Sequence, residues 1–403
     1  EGGQAAAAES LARRALELAP KHCVAHFCLG NVRQQQGRLA DALLCYQTAL
    51  GLAPGFAPAA SNLACALLAL GRRREAEDVL LRSQRLTPGH LDTALNLARL
   101  YLEEDRFDAA EAVYRSALRV APEGVAAREG LAYVLRELGR VDEADALCAQ
   151  ALAADPLCTG ARLLQLVCRL PIVADTPQAS AAAADGFGGE VARLAEWLAA
   201  DRQRGARLHA GVVAYLPFFL AYRPGNHCSA LSRFADLVCP PPAPAPRYAP
   251  RGKLRLLVVA HHVRRHSVWE IVLRGLLEHL DRRLFAVTVY HLGQREDEAT
   301  RYARTLADTW RDPHSVANLA AWQQILAADQ PDVIFYPELG MDPMTFHLAA
   351  QRRAPLQVAG WGHPITSGLP TIDCFLSGEL LEPPGAAAHY RERLLCLPGT
   401  GCC

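Results

Sequence analysis

Two adjacent histidines, His261 and His262, precede two arginines and a third histidine, His266, in the stretch AHHVRRHSVW. A histidine can titrate near neutral pH, donate a hydrogen bond or move a proton. At the first turn of a helix it also stands among free backbone amides, which favour an anionic ligand. A second stretch, YPELGMDP, carries Glu338, Gly340 and Asp342, and a third, GWGHPITSG, carries Gly362, Pro364, Thr366, Ser367 and Gly368. Taken singly these signals are weak, because a lone histidine at a helix start is more often structural. Their weight comes from a shared setting. Each follows an apolar run that reads as a buried strand, so all three should gather at one edge of a sheet, where open α/β folds bind ligands.

Several other chemistries have no spelling here. There is no G-x-x-x-x-G-K-[ST], no G-x-G-x-x-G and no G-x-S-x-G, which removes the phosphate-binding P-loop, the dinucleotide fingerprint and the nucleophile elbow. No carboxylate or cysteine stands at ligand spacing from the three histidines, and no D-x-D pair occurs, so no metal site is expected.

The elements that position these stretches are strands alternating with helices. Apolar runs at 254–260, 285–292, 332–338, 356–362 and 371–378 read as strands. Helices are expected at 267–280, within 296–308, at 315–329 and at 342–353. This alternation predicts a parallel, Rossmann-like sheet over 251–403. Before it, PPPAPAPRYAP at 240–250 reads as an extended linker, and 159–239 as a helical connector. Within the connector, 189–204 reads as an amphipathic helix and 209–225 as a buried connecting segment.

The first 158 residues repeat. Pro20, Pro54, Pro88, Pro122 and Pro156 recur at a constant spacing, with Ala42, Ala76, Ala110 and Ala144 in one phase. Ala49, Ser83, Ala117 and Ala151 share a second phase, and Leu29, Leu63, Leu97 and Leu131 a third. Gly37, Gly71, Asp105 and Gly139 fall at the turn inside each unit. This is the tetratricopeptide pattern. Half a repeat (1–22) precedes four full ones (23–158), forming an α-solenoid whose groove suits peptide or protein partners. Tyr46, Tyr101 and Tyr114 read as inter-helix core.

Lysine plus arginine equals aspartate plus glutamate, 42 against 42, so neither a nucleic-acid nor a membrane partner is expected. Thirteen scattered cysteines without a C-x-x-C pair point to a reducing compartment, and the expectation is a cytoplasmic protein. The longest apolar stretch, 211–221, is too short to span a bilayer and contains Pro217.

The lines RRHSVWEIVLRGLLEHLDRRLFAVTVYHLG, PDVIFYPELGMDPMTFHLAAQRRAPLQVAGWGHPITSGLPTIDCFLSGELLEP and HYRERLLCLPG, together with the repeats, resemble the bacterial, SPINDLY-like branch of the O-linked N-acetylglucosamine transferase family. That resemblance implies a GT-B fold of two Rossmann-like lobes acting on a nucleotide sugar, with no metal and no cofactor. It implies an inverting transfer of N-acetylglucosamine from UDP-N-acetylglucosamine to Ser or Thr of protein acceptors brought by the repeats. By position, His266 matches the family's active-site histidine beside the donor. Gly362, Pro364, Thr366, Ser367 and Gly368 match the loop that touches the sugar. Ser267, His262 and Ile365 stand where the family pattern has proline, aspartate and glycine. The family's second lobe, with its diphosphate lysine, is expected beyond this sequence, which then reads as an N-terminal fragment. Two other readings compete: fucosyl transfer from a GDP donor, and a non-catalytic repeat scaffold.

Overall fold

The computed structural model describes residues 2–210, 213–241, 243–248, 252–312 and 319–401. Contacts divide the chain into two compact units, Glu1–Pro156 and Leu157–Cys403.

The first unit is an α-solenoid of nine helices among the described residues: α1 (Gly2–Leu18), α2 (Cys23–Gln35), α3 (Leu39–Leu52), α4 (Ala57–Ala69), α5 (Arg73–Leu86), α6 (Leu91–Glu103), α7 (Phe107–Val120), α8 (Val125–Glu137) and α9 (Val141–Ala154). The reversal inside each repeat has one cause. Gly37, Gly71 and Gly139 take φ of 73°, 72° and 77°, and Asp105 takes 59°. That left-handed residue ends the first helix and turns the following amide back onto it. The N–H groups of Arg38, Arg72, Arg106 and Arg140 accordingly donate to the carbonyls of Arg33, Leu67, Tyr101 and Leu135.

Small residues set the helix spacing. Ala42, Ala76, Ala110 and Ala144 are wholly buried, and Tyr46, Tyr101 and Tyr114 lie in the core as expected of inter-helix residues. Gly30 shows how tight the crossing is, since a Cβ there would stand 2.5 Å from the Tyr46 ring. Tyr46 cannot easily withdraw. Its hydroxyl lies 2.8 Å from both Asn31 Oδ1 and Gln34 Oε1 and donates to one of them. Gly30→Ala should therefore destabilise the solenoid by about 1–3 kcal/mol, the usual cost of overpacking a rigid core. Thermal unfolding followed by far-ultraviolet circular dichroism would show an unchanged transition if this contact were slack.

The second unit opens with helices α10 (Thr159–Cys168), α11 (Pro177–Ala199) and α12 (Arg202–Ala210), a 3-10 turn at Phe218–Tyr222, and α13 (Cys228–Val238). The expected helix at 189–204 is split: it covers the end of the longer α11, which stops at Ala199, and the start of α12 at Arg202. Seven strands follow among the described residues: β1 (Leu254–Ala260), β2 (Phe285–His291), β3 (Thr309–Arg311), β4 (Val333–Tyr336), β5 (Leu356–Gly360), β6 (Cys374–Gly378) and β7 (Arg393–Leu397). They form one sheet in the order β3-β2-β1-β4-β5-β6-β7, every pair parallel. Its first six strands have the Rossmann order, which reverses direction between β1 and β4. Val258, Val287 and Val289 are fully buried at its centre with Trp269 and Leu273.

Two strands are additions to the sequence reading. β3 has only three half-buried residues, and β7 is a partly exposed edge. The helix after β1 also differs, opening as a π-helical turn (Val268–Leu273) before α14 (Arg274–His279). The remaining crossovers are α15 (Glu298–Thr305), α16 (Leu319–Asp329) and α17 (Pro343–Ala349); residues 315–318 of the expected helix at 315–329 lie outside the described residues.

The proline-rich stretch is not where the contacts divide. Helices α10–α13 pack with the sheet because side chains from both sides of the stretch meet. Arg391 donates to Asp236 at 2.7 Å and Asn226 to the Ala388 carbonyl at 2.9 Å, while from within the stretch the Tyr248 hydroxyl donates to the Arg353 carbonyl at 3.1 Å. No helix among the described residues is long and apolar enough to cross a membrane.

Candidate functional site

The reversal of strand order puts the loop after β1 beside the loop after β4. Glu338, in the β4 loop, is wholly buried. Its Oε1 accepts the backbone N–H groups of His261, at 2.5 Å, and His262, at 2.9 Å, and its Oε2 pairs with His262 Nδ1. One buried carboxylate thus fixes both the backbone and a ring of the histidine loop.

The neighbouring pair follows the same logic. Asp342 caps α17 by accepting the Thr345 N–H at 2.7 Å, and its Oδ2 lies 3.2 Å from His261 Nδ1. Burial works against charge on His261, but the Asp342 hydrogen bond and the charges of Asp342 and Glu338 outweigh it and raise its pKa. Burial likewise opposes the Asp342 carboxylate, yet His261 and Thr345 hold its pKa below the usual value. Both shifts favour an imidazolium–carboxylate pair.

His266 sits one turn further on, its ring stacked on His262 with centroids 4.3 Å apart and planes 23° from parallel. Its Nδ1 accepts the Val268 N–H at 3.2 Å. Burial, then the proximity of His262, lowers its pKa, so the neutral ring is favoured at neutral pH. Among the described residues no three histidine, cysteine, aspartate or glutamate side chains could hold a metal ion together.

The third loop closes onto the other two through a glycine. The Gly362 N–H donates to the Pro337 carbonyl at 2.9 Å. A Cβ at Gly362 would stand 2.5 Å from that oxygen and 3.2 Å from Val268 Cγ2. Next to it His363 is buried, stacked on Phe218 at 5.2 Å. Gly340, at φ 105°, passes so close that a Cβ would lie 2.6 Å from the His363 ring.

Gly362, Pro364 and Thr366 line a cavity of about 470 Å³ with Trp361, His227 and Tyr390. The Thr366 and Ser367 hydroxyls nevertheless turn inward. Glu392, which is buried, accepts the Thr366 hydroxyl at 2.5 Å, the Ser367 N–H at 2.8 Å and the Ser367 hydroxyl. Gly368, at φ 69°, lies so close to the α13 backbone that a Cβ would be 2.5 Å from the Leu231 carbonyl. The structure therefore brings His266 and Gly362 to one place, His266 bonded to the Val268 amide and Gly362 leaving room for the Val268 side chain, and opens Pro364 to the cavity. It commits the Thr366 and Ser367 hydroxyls to a carboxylate of the protein itself. Glu392 and the Glu338–His262 pairing were absent from the residues that sequence singled out as the site.

Two tetratricopeptide repeat models match, one at residues 23–56 and another at 95–157. The first unit carries tetratricopeptide repeats. A tomato (Solanum lycopersicum) protein described as a probable UDP-N-acetylglucosamine–peptide N-acetylglucosaminyltransferase SPINDLY is 30% identical over 149 residues, covering 34% of this chain and 15% of that protein. Its counterpart from rice (Oryza sativa subsp. japonica) is 29% identical with the same coverage. The chain thus spans about 15% of the length of the curated relatives it matches. A solved variant of the O-GlcNAc transferase from Thermobaculum terrenum covers 85% of this chain and 57% of its own, with a TM-score of 0.59 at 22% identity. That likeness establishes the fold of a repeat solenoid followed by a parallel-sheet lobe.

Proposed function

We propose that this chain forms part of a metal-independent, inverting protein O-glycosyltransferase. It supplies the acceptor-binding repeats and one Rossmann-like lobe of a GT-B enzyme. The donor is a nucleotide sugar, with UDP-N-acetylglucosamine the first choice and a GDP-linked fucose the nearest alternative, and the acceptor is a Ser or Thr hydroxyl. One observation carries the reading: three loops converge at the β1/β4 reversal, joined through Gly362, with His266 among them. Such a reversal is where a nucleotide-linked ligand sits in this type of sheet, and the relatives just described are glycosyltransferases by name.

Transfer needs the acceptor oxygen to attack the anomeric carbon while the diphosphate leaves with the bonding electrons. The lobe offers a neutral His266 that can donate to the donor, and an Asp342-paired His261 whose positive charge favours an anion nearby. Preorganised donors aimed at developing charge are the largest single source of rate in such sites.

The test is calorimetric titration of the full chain with a panel of nucleotide sugars, alongside transfer to an acceptor peptide. One donor should bind, and His266→Ala should weaken its binding or turnover about tenfold or more while leaving unfolding unchanged. A full chain that holds peptides through residues 23–158 and binds no donor would be a scaffold instead.

A further inference from the structure

The two stacked histidines carry their hydrogens on opposite nitrogens, and this divides the chemistry between them. His262 Nδ1 faces a Glu338 oxygen. A carboxylate accepts and cannot donate, so Nδ1 bears the hydrogen and the lone pair of the neutral ring lies on Nε2. His266 is the reverse. Its Nδ1 receives the Val268 amide hydrogen and must supply the lone pair, so the hydrogen of the neutral ring sits on Nε2. The rings stand face to face at 4.3 Å, and the His262 side chain keeps 16% of its surface open beside a Glu338 side chain with none.

Resting on the transfer reading above, we propose that His262, positioned by Glu338, takes the proton from the attacking hydroxyl, while His266 acts only as a hydrogen-bond donor to the sugar nucleotide. The acceptor O–H bond breaks toward His262 Nε2 as the oxygen forms its bond to the anomeric carbon. The carbon–oxygen bond to the diphosphate breaks, and its electron pair leaves on the diphosphate. His262 ends with hydrogens on both nitrogens and releases one to solvent. Glu338 touches no reacting atom; it holds the ring in the tautomer that leaves Nε2 able to accept. This is the orienting role that a carboxylate plays toward a catalytic imidazole.

Two measurements test this independently. Long-range proton–nitrogen correlation spectra of the ¹⁵N-histidine-labelled full chain, assigned with His262→Gln and His266→Gln, should show His262 protonated on Nδ1 and His266 on Nε2. Glu338→Gln should disturb the first pattern and spare the second. In transfer assays on the full chain, Glu338→Gln should lower kcat about a hundredfold with little change in the donor KM. His262→Ala should lose activity and regain part of it with added imidazole, whereas His266→Ala should raise the donor KM and gain nothing from imidazole. Swapped tautomers, or imidazole rescue of His266→Ala alone, would overturn the proposal. Correct tautomers in a protein that turns over no nucleotide sugar would instead sink the transfer reading and leave the hydrogen assignment standing.

Discussion

Lowering the pH from 7 to 5 should remove about 4 kcal/mol of folding stability from the second unit, well before any carboxylate titration matters. The cause is two histidines folded in as neutral rings. His363 is 4% exposed, and burial pushes its pKa down to about 4, with Glu338 only partly countering. His291 is wholly buried beside Trp310; burial, then the charge of His261, pushes it down to about 4 against weaker help from the Arg295 backbone, Asp312 and Glu338. Unfolded, each titrates near 6.5. Between those values the unfolded chain binds protons that the folded one refuses, so stability falls with falling pH by about 2 kcal/mol per histidine over this range. His261 offsets only a small part of the loss, since its stabilising effect grows slightly as pH falls from 7. Its raised pKa adds stability that is complete below about 6.5 and is lost only as pH rises through the folded value.

All five tryptophans, Trp197, Trp269, Trp310, Trp322 and Trp361, lie in the second unit. Urea unfolding followed by their fluorescence therefore reports this unit alone. His363→Phe keeps a ring against Phe218 and should halve the pH dependence. Equal midpoints at pH 7 and 5 would mean that these rings take up protons without unfolding the site.

The solenoid was legible because its contacts are local and repeated. Every repeat needs a small residue at the helix crossing and a left-handed residue at the turn, so Ala42 and Gly37 leave an echo at each later unit. Asp105 tests that reading: it breaks the glycine pattern in sequence yet holds the same φ. The long central strands were legible for a related reason. From Leu256 to Ala260 β1 is buried on both faces and so reads as an unbroken apolar run. β3, with three residues, is too short to show any period.

The site was less legible because its pairings are not local. His262 and Glu338 stand 76 residues apart, and no spacing rule connects them; only the adjacency of β1 and β4 does. Sequence could mark the three loops as unusual. It could not assign Glu338 the task of orienting a ring, nor show that Thr366 and Ser367 face inward. The same blindness affected the boundary, where a proline-rich stretch normally separates domains. Here Arg391 and Asn226 reach across it, Tyr248 ties the stretch itself to the sheet unit, and no composition signal predicts such long-range pairing.

Glu392 is the clearest consequence of that hidden pairing, and Glu392→Ala should destabilise the second unit by about 3 kcal/mol. Its carboxylate is the acceptor for the Thr366 hydroxyl, the Ser367 N–H and the Ser367 hydroxyl. The Thr366 oxygen cannot turn away freely, since it also accepts the Gly368 and Arg391 N–H groups at 3.2 Å. The Ser367 N–H has no rotation open to it at all. Alanine would leave these donors buried without an acceptor, which costs more than the loss of an ordinary hydrogen bond. Glu392→Gln keeps an amide oxygen for the Ser367 N–H and hydroxyl. It sets its NH2 against the Thr366 oxygen, whose two lone pairs the Gly368 and Arg391 amides already occupy, so it should cost about 2 kcal/mol, less than alanine. Tryptophan-monitored urea unfolding at pH 7 separates the two variants. If alanine and glutamine cost the same small amount, water has replaced the carboxylate, and the loop carrying Gly362 and Pro364 is held by its glycines alone.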